Sequence, residues 1–284
     1  MAMRAAVLGS PIAHSLSPVL HTAAYRALGL TGWSYQAIDC TEPGLPGLLR
    51  GCGRDWAGLS LTMPLKRAVL PLLDQVDPLA ADVGGANTVT FAGGARRGHN
   101  TDVPGMIAAL AEAGVGPSGP AAEPALILGG GATACSALAS LRGLGADRAT
   151  VAVRDPARAA DLLAAADRLG MEVRLTAFGE HAGRGRGVLI STVPAGAADE
   201  YADRIQRGDC APLAVLDVVY HPWPTRLAAA AQQAGIVAVS GFDLLVHQAA
   251  PQVELMTGRP APLAAMRKAG LAELAGRREY HRLP

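Results

Sequence analysis

Gly129, Gly131 and Ala134 stand at the spacing G-x-G-x-x-A in the turn Leu128-Gly129-Gly130-Gly131-Ala132-Thr133-Ala134. In that pattern the first glycine makes a tight turn and the second lets backbone N–H groups approach a pyrophosphate. The small third residue lets a helix lie against its strand. The setting supports the pattern, because the apolar run Ala125–Leu128 precedes it and a helical stretch follows. At the end of the next strand, where an NAD site usually carries a carboxylate, the chain has Arg154, with Arg158 one turn later. Two guanidinium groups suit a 2′-phosphate and point to NADP. Solvated surface arginines are the plainer alternative, and the carboxylate of Asp155 argues the other way, toward NAD.

Three clusters in the first 102 residues carry further polar chemistry. Ser15 and Ser17 sit at a strand-to-helix corner, where two hydroxyls and the N–H groups of a helix start suit a carboxylate. The alternative makes Ser17 an N-cap and Ser15 a turn residue. Lys66 follows Thr62-Met63-Pro64 just past a strand end; alone, such a lysine is usually a solvated charge. Asn87 and Asp102, in Gly85-Ala86-Asn87-Thr88 and Asn100-Thr101-Asp102, each stand near a strand end and read alone as turn chemistry.

These residues need elements to hold them, and the hydrophobic pattern supplies an α/β rhythm. Strands are expected at Arg4–Leu8, Trp33–Ile38, Ala57–Leu61 and Ala86–Phe91, with helices at Ser17–Leu28, capped by Ser17, and Leu65–Leu73, shortened by Pro71. Gly114–Pro124 reads as a connection. Beyond it, strands at Ala125–Leu128, Thr150–Val153, Val173–Thr176, Val188–Ser191, Leu213–Val218 and Ile236–Val239 are expected. Helices Thr133–Leu144 and Ala157–Leu169 alternate with the first of them, as in a doubly wound parallel sheet. The chain then returns to helices at Leu244–Thr257 and Leu263–Leu274.

Composition narrows the function classes. The 284 residues are enough for two modest domains or one large one, and at 50% hydrophobic they can bury a sizeable core. A net charge of +1 provides no general field for nucleic acid or an anionic membrane, so anionic ligands must be held locally. No apolar run reaches the roughly 18 to 20 residues that span a bilayer. The N-terminal segment reads as a first strand rather than a secretion signal. Cys40, Cys52, Cys135 and Cys210 show no metal-ligand spacing and read as reduced thiols of a cytoplasmic protein.

Taken in order, the motifs resemble the shikimate dehydrogenase family. They run from Gly9-Ser10-Pro11-Ile12-Ala13-His14-Ser15-Leu16-Ser17-Pro18 through Thr62-Met63-Pro64-Leu65-Lys66, Gly85-Ala86-Asn87-Thr88, Asn100-Thr101-Asp102 and the glycine turn. Ser191-Thr192-Val193-Pro194, Asp217-Val218-Val219-Tyr220-His221-Pro222-Trp223-Pro224-Thr225 and Gly241-Phe242-Asp243-Leu244-Leu245-Val246-His247-Gln248 follow. The resemblance covers about Val7 to Gln252. The chain departs from the family pattern at Thr22, often Asn, and at Ser60-Leu61, usually Asn-Val. It also has Val153-Arg154-Asp155 for Asn-Arg-Thr, and Leu244 or Leu245 where many members have Met.

The resemblance implies an NADP-dependent enzyme that interconverts 3-dehydroshikimate and shikimate, without a metal. It assigns Ser15 and Ser17 to the substrate carboxylate, places Tyr220 near the carboxylate and nicotinamide, and sets Thr62, Asn87 and Gln248 around the ring hydroxyls. Lys66 and Asp102 become the catalytic pair, with the proton carrier left open between them. Gly129, Gly131, Ala132, Arg154, Arg158, Thr192 and Gly241 are expected to hold the cofactor. The expected organisation is a two-domain α/β fold. Residues 1–103, completed by 241–284, form the substrate domain, and residues 104–240 form a Rossmann-like NADP domain. A monomer or homodimer is expected. Rivals are an NAD-preferring quinate/shikimate enzyme, an aminoshikimate enzyme, a non-catalytic ligand sensor and a dehydrogenase of another substrate. The presence of both Lys66 and Asp102 argues against a sensor, and Ser17 argues against quinate users, which often have Thr there.

Overall fold

Strand β1 (Met3–Gly9) is buried on both faces, and its alternation divides the core around it. Ala6 and Leu8 point into one apolar cluster, Ala5 and Val7 into another. A computed structural model describes residues 2–116, 125–180 and 187–280, and the chain falls into two units. The first comprises residues 1–81, 85–101 and 246–284; the second comprises 82–84 and 102–245.

After β1 come α1 (Ser17–Ala27), β2 (Trp33–Asp39), α2 (Leu45–Gly51), β3 (Trp56–Leu61), α3 (Leu65–Ala68), β4 (Gln75–Val76), α4 (Pro78–Val83), β5 (Thr88–Ala92) and β6 (Ala95–His99). The sheet of this unit runs β2-β1-β3-β5-β6-β4. β1 lies parallel to β2 and β3, whereas β5 is antiparallel to both β3 and β6. Leu45, Leu49 and Leu65 from α2 and α3 cover the Leu8 face, and Tyr25 of α1 covers the Val7 face.

Two expectations need correction here. Ser17 is not the N-cap of α1: Leu16 holds that position without a side-chain bond, and Ser17 is the first helical residue. The fully buried Leu16 anchors the corner, and the Ser15 hydroxyl accepts from the Ser17 N–H at 3.2 Å. The helix expected over Leu65–Leu73 stops at Ala68, and a 3-10 turn over Leu70–Leu72 places Pro71 where its missing N–H costs least.

The second unit begins with α5 (Asp102–Glu112) and continues through β7 (Ala125–Leu128), α6 (Ala132–Gly143), β8 (Arg148–Val153), α7 (Ala160–Leu169), β9 (Glu172–Ala177), β10 (Val188–Ser191), α8 (Asp199–Arg207), β11 (Ala214–Asp217), α9 (Arg226–Gln233) and β12 (Val237–Ser240). Most of the expected Gly114–Pro124 connection lies outside the described residues. The helix expected from Ala157 starts at Ala160, after a 3-10 turn at Pro156–Arg158. The strands order as β9-β8-β7-β10-β11-β12, all parallel. That is the doubly wound order, which reverses between β7 and β10, the point where such sheets bind ligands. Tyr201 and Ile205 of α8 and Leu227 of α9 pack on Leu128, Leu189 and Val215 of the sheet. Residues 134–141 of α6 are buried without a break, as befits a helix covered on all sides. The chain ends with α10 (Gly241–Thr257) and α11 (Leu263–Tyr280), and α11 packs along α1.

Candidate active site

The carboxyl ends of β1 and β3 and the start of β5 meet at one edge of the first sheet. Thr62 N–H donates to the Leu8 carbonyl at 2.9 Å, and Ser10 N–H donates to Met63 at 3.0 Å. Gly9 is obligatory there, since a Cβ would stand 2.4 Å from the Thr62 methyl. The corner carrying Ser15 and Ser17 therefore lies beside the turn carrying Thr62. Arg277 holds the same corner by donating to the His14 carbonyl at 2.9 Å. The hydroxyls of Ser17 and Thr62 make no hydrogen bond among the described residues, although Ser17 is only 4% exposed.

Lys66 lies in the short helix α3, half-buried. Its carbonyl accepts from the Ala86 N–H at 2.8 Å, which ties it to the segment that leads into Asn87. Asn87 is 1% exposed, and its backbone bridges Leu61 and His99 through bonds of 2.7 and 3.0 Å. Its side-chain Oδ1 accepts from Thr101 N–H at 2.8 Å, and its Nδ2 donates to Gln248 Oε1 at 3.3 Å. Asn87 and Gln248, expected together, do meet. Behind them lie Thr88, Ser60, His21 and Gln252, a buried polar group to which the motifs gave no role. Only contacts between residues up to 231 positions apart reveal it. Burial lowers His21 from 6.5 to about 3, with the Gln252 bond opposing. Burial also raises the Tyr35 hydroxyl.

Asp77 holds the start of α4 through Ala80 N–H at 2.7 Å and meets His99 at 3.0 Å, just before Asn100-Thr101-Asp102. Burial pushes Asp77 up, but the bonds from His99 and the backbone together hold it below the ordinary carboxylate range. Asn100 donates to the Gly85 carbonyl at 2.8 Å, closing the same segment onto the turn before Asn87.

The second unit carries the other expected residues. Asp102, expected in the N-terminal domain, is buried in the first turn of α5. Gly129 has φ of +107°, and a Cβ there would lie 2.6 Å from the Thr192 hydroxyl. Thr192 in turn donates to the Leu128 carbonyl at 2.7 Å, locking the turn after β7 to the end of β10. Gly131 caps α6 with no side-chain bond, and open space surrounds the position of its missing Cβ. Ala132 is the first residue of that helix. A glycine cradle and a helix start without a side-chain cap at the switch point fit a dinucleotide pyrophosphate. Arg154 is exposed at the end of β8, while the Asp155 carboxylate accepts from Ala157 N–H at 3.0 Å. Arg158 ends the 3-10 turn that Asp155 caps.

Tyr220 rides on a loop whose ends are clasped: Thr225 Oγ1 donates to Asp217 at 2.7 Å, and Val219 N–H donates to the same carboxylate at 3.2 Å. Burial raises the Asp217 carboxyl against those bonds. Gly241 supports the loop from below. A Cβ there would overlap the Val218 carbonyl, and its N–H reaches Val219 O at 3.3 Å.

Comparison with known proteins finds relatives along nearly the whole chain. The model of the shikimate dehydrogenase substrate binding domain matches residues 7–89, and that of the shikimate 5'-dehydrogenase C-terminal domain matches residues 241–269. Shikimate dehydrogenase (NADP(+)) of one Thermus thermophilus strain is 38% identical over 258 residues, 90% of this chain and 93% of its own. The crystal structure of Mycobacterium tuberculosis shikimate dehydrogenase is 43% identical with a TM-score of 0.83, covering 95% of this chain and 99% of that one. Shikimate 5-dehydrogenase of a second Thermus thermophilus strain, solved in complex with NADP(H) and shikimate, is 35% identical with a TM-score of 0.81, over 95% and 99% of the two chains.

Proposed function

The chain belongs to the shikimate dehydrogenase family, and on that premise we propose that it catalyses the reversible NADPH-dependent reduction of 3-dehydroshikimate to shikimate in aromatic amino acid biosynthesis. Its first unit takes the substrate and its second the nucleotide. The observation that carries the substrate reading is local. Two hydroxyls without partners among the described residues, on Ser17 and Thr62, share a sheet edge with the Asn87–Gln248 amide pair and Lys66.

Ser15 and Ser17 bind the substrate carboxylate, and Tyr220 is a further candidate for contact with the carboxylate and the nicotinamide. Thr62, Asn87 and Gln248 hold the ring hydroxyls. Gly129, Gly131, Ala132 and Thr192 form the pyrophosphate cradle, Gly241 supports the nicotinamide end, and Arg154 and Arg158 take the 2′-phosphate. Asp155 spends part of its carboxylate on capping, which weakens its claim on a ribose hydroxyl. The cofactor supplies the hydride when bound. Lys66 stabilises the oxygen that gains charge and donates its proton, and Asp102 orients the ammonium and holds the neighbouring hydroxyl. In the oxidation direction the same pair accepts the proton.

We place the enzyme in the cytoplasm, where the four free cysteines stay reduced. No helix among the described residues is long and apolar enough to cross a membrane. Steady-state assays crossing shikimate and quinate with NADP and NAD test the reading. Turnover concentrated on shikimate with NADP supports it. A preference for quinate or NAD replaces it with the corresponding rival, and binding of shikimate without reduction of NADP makes the chain a sensor.

A further inference from the structure

Two backbone groups fix the direction of the polar network behind the substrate edge. The Asn87 carbonyl can only accept, so the amide group that lies 3.3 Å from it on Gln252 is Nε2. The Thr101 N–H can only donate, so the side-chain atom of Asn87 that lies 2.8 Å from it is Oδ1. Between these fixed ends Thr88 has one choice. Its hydroxyl accepts from Gln252 Nε2 at 2.9 Å and donates to Asn87 Oδ1 at 2.9 Å.

The remaining bonds follow in the same sense. Tyr35 OH donates to Ser60 at 2.6 Å, and Ser60 donates to Gln252 Oε1 at 2.8 Å. At the other end Asn87 Nδ2 donates to Gln248 Oε1 at 3.3 Å. A line of donors thus runs Tyr35, Ser60, Gln252, Thr88, Asn87, Gln248; His21 joins it at Gln252 Oε1, and the Thr101 hydroxyl joins it at Asn87, 2.9 Å from Nδ2 and 3.1 Å from Oδ1, and every member is buried. In a buried chain each bond polarises the next, and a deleted member leaves its neighbours unpaired at a cost water does not repay.

We propose that Gln252 and Thr88 are positioning residues for the substrate site: together with the Thr101 N–H they hold the amide orientation of Asn87, and through it that of Gln248, so that both amides present a fixed pattern of donors and acceptors to the substrate. The proposal rests on the reading that Asn87 and Gln248 face the ring hydroxyls. It gives Ser60, where the family usually has Asn, a role in the same line, as the donor that holds Gln252 Oε1 away from Asn87. Neither Thr88 nor Gln252 touches the reacting atoms, so each acts on substrate affinity and leaves the hydride and proton steps intact.

The experiment compares Thr88→Val, Thr88→Ser, Gln252→Met and Asn87→Ala in the full chain. It uses shikimate titration by calorimetry, KM for shikimate and for NADP, kcat, and melting temperature. Thr88→Val keeps the shape and β-branching but lacks the hydroxyl. It is expected to weaken shikimate binding about tenfold, the effect of one buried hydrogen bond, with kcat and the KM for NADP within about twofold of the parent. Thr88→Ser restores binding, and Gln252→Met behaves like Thr88→Val. Shikimate affinity within twofold of the parent in both Thr88→Val and Gln252→Met, with a lowered melting temperature, overturns the proposal and leaves these residues with a packing role. If Asn87→Ala also binds shikimate normally, the substrate-site reading falls together with it. If Asn87→Ala binds weakly while the other two bind normally, only the positioning role falls. Should Thr88→Val fail to fold, Gln252→Met against Thr88→Ser decides by the same criterion.

Discussion

Thr225 donates a hydrogen bond of 2.7 Å to Asp217, and this one contact closes both ends of the loop that carries Tyr220. Thr225 is also the N-cap of α9, accepting from Ala228 N–H at 3.1 Å. Its hydroxyl therefore serves a buried carboxylate and a helix start at once. Thr225→Val preserves volume and removes both bonds. The loss of a hydrogen bond to a charged group, roughly 1.5 to 3 kcal/mol, adds to a cap worth about 1 kcal/mol. Urea denaturation is expected to show destabilisation of that order, accompanied by a higher KM for shikimate if Tyr220 contacts the substrate as proposed. Unchanged stability would mean that Asp217 finds another donor.

His21 gives the protein a specific acid sensitivity. It is fully buried, stacked on Tyr35 with ring centroids 4.0 Å apart, and bonded to Gln252 at 3.3 Å. Its pKa falls from 6.5 in the unfolded chain to about 3 in the fold because burial penalises the cation. Below pH 6.5 the unfolded state takes up a proton that the folded state refuses. The stability present above pH 6.5 is therefore lost as pH falls toward 3, at about 1.4 kcal/mol per pH unit. His21→Phe keeps the stacking and removes the titration. Unfolding free energies at pH 7 and pH 5 should fall more steeply in the parent than in the variant, by about 2 kcal/mol over that interval. Parallel pH profiles would remove His21 from the account.

The elements that the sequence reveals best are those buried on both faces. Ala125–Leu128 and Val188–Ile190 are unbroken apolar runs, and the strands expected at Ala125–Leu128 and Val188–Ser191 are both observed with those bounds. The hairpin strand β6, Ala95-Arg96-Arg97-Gly98-His99, has no apolar alternation because the ladder to β5 and the Arg96–Asp74 pair hold it instead. Helix α8 escapes notice for a related reason: its short polar run depends on Tyr201 and Ile205 finding the sheet. The glycine turn could be read from spacing alone, since φ at Gly129 and the approach of Thr192 admit no side chain. Gln252 could not, because its partners Ser60 and Thr88 lie 192 and 164 positions away.

If Arg154 and Arg158 take the 2′-phosphate, as proposed, cofactor choice sets them against Asp155. Asp155 accepts from Ala157 N–H, and Arg154 stands exposed at the end of β8. The double variant Arg154→Ala, Arg158→Ala is expected to lose NADP affinity by roughly 1.5 to 3 kcal/mol per contact, with little change for NAD. Titration of both nucleotides measures this directly. Equal turnover of the parent with NAD and NADP at low cofactor would contradict the assignment.

The corrected start of α1 sharpens the test of the two serines. Ser17 makes no capping bond, so Ser17→Ala should leave stability nearly unchanged while raising the KM for shikimate by one to two decades, as a bond to a charged carboxylate worth roughly 1.5 to 3 kcal/mol requires. Ser15→Ala also removes the acceptor for Ser17 N–H and should lose some stability as well as affinity. The KM for NADP should stay constant in both. If neither variant alters shikimate kinetics, the carboxylate binds elsewhere.

Lys66 and Asp102 are held by different means, and this shapes what their replacement should do. Lys66 is fixed through its backbone, by the bond from Ala86 N–H to its carbonyl, so Lys66→Ala keeps that anchor and deletes the ammonium with the three methylenes that carry it. Asp102 lies buried in the first turn of α5, so Asp102→Asn keeps its shape and removes its charge. If the pair acts on the reacting oxygen, Lys66→Ala should depress kcat by about 10² to 10⁴-fold with a much smaller change in KM. Asp102→Asn should also lose mainly kcat if its charge orients the ammonium. Both variants should melt near the parent temperature and titrate NADP normally. The Lys66 result separates roles that the parent's kinetics cannot: a fall confined to KM would make the lysine a binding group for a ring hydroxyl, and a near-normal kcat would take it out of the chemistry. The pH dependence of kcat in Asp102→Asn then distinguishes the proton carrier. If Lys66 alone carries the proton, the variant keeps the parent's profile at a lower maximum, whereas loss of one limb of that profile would assign the proton to Asp102.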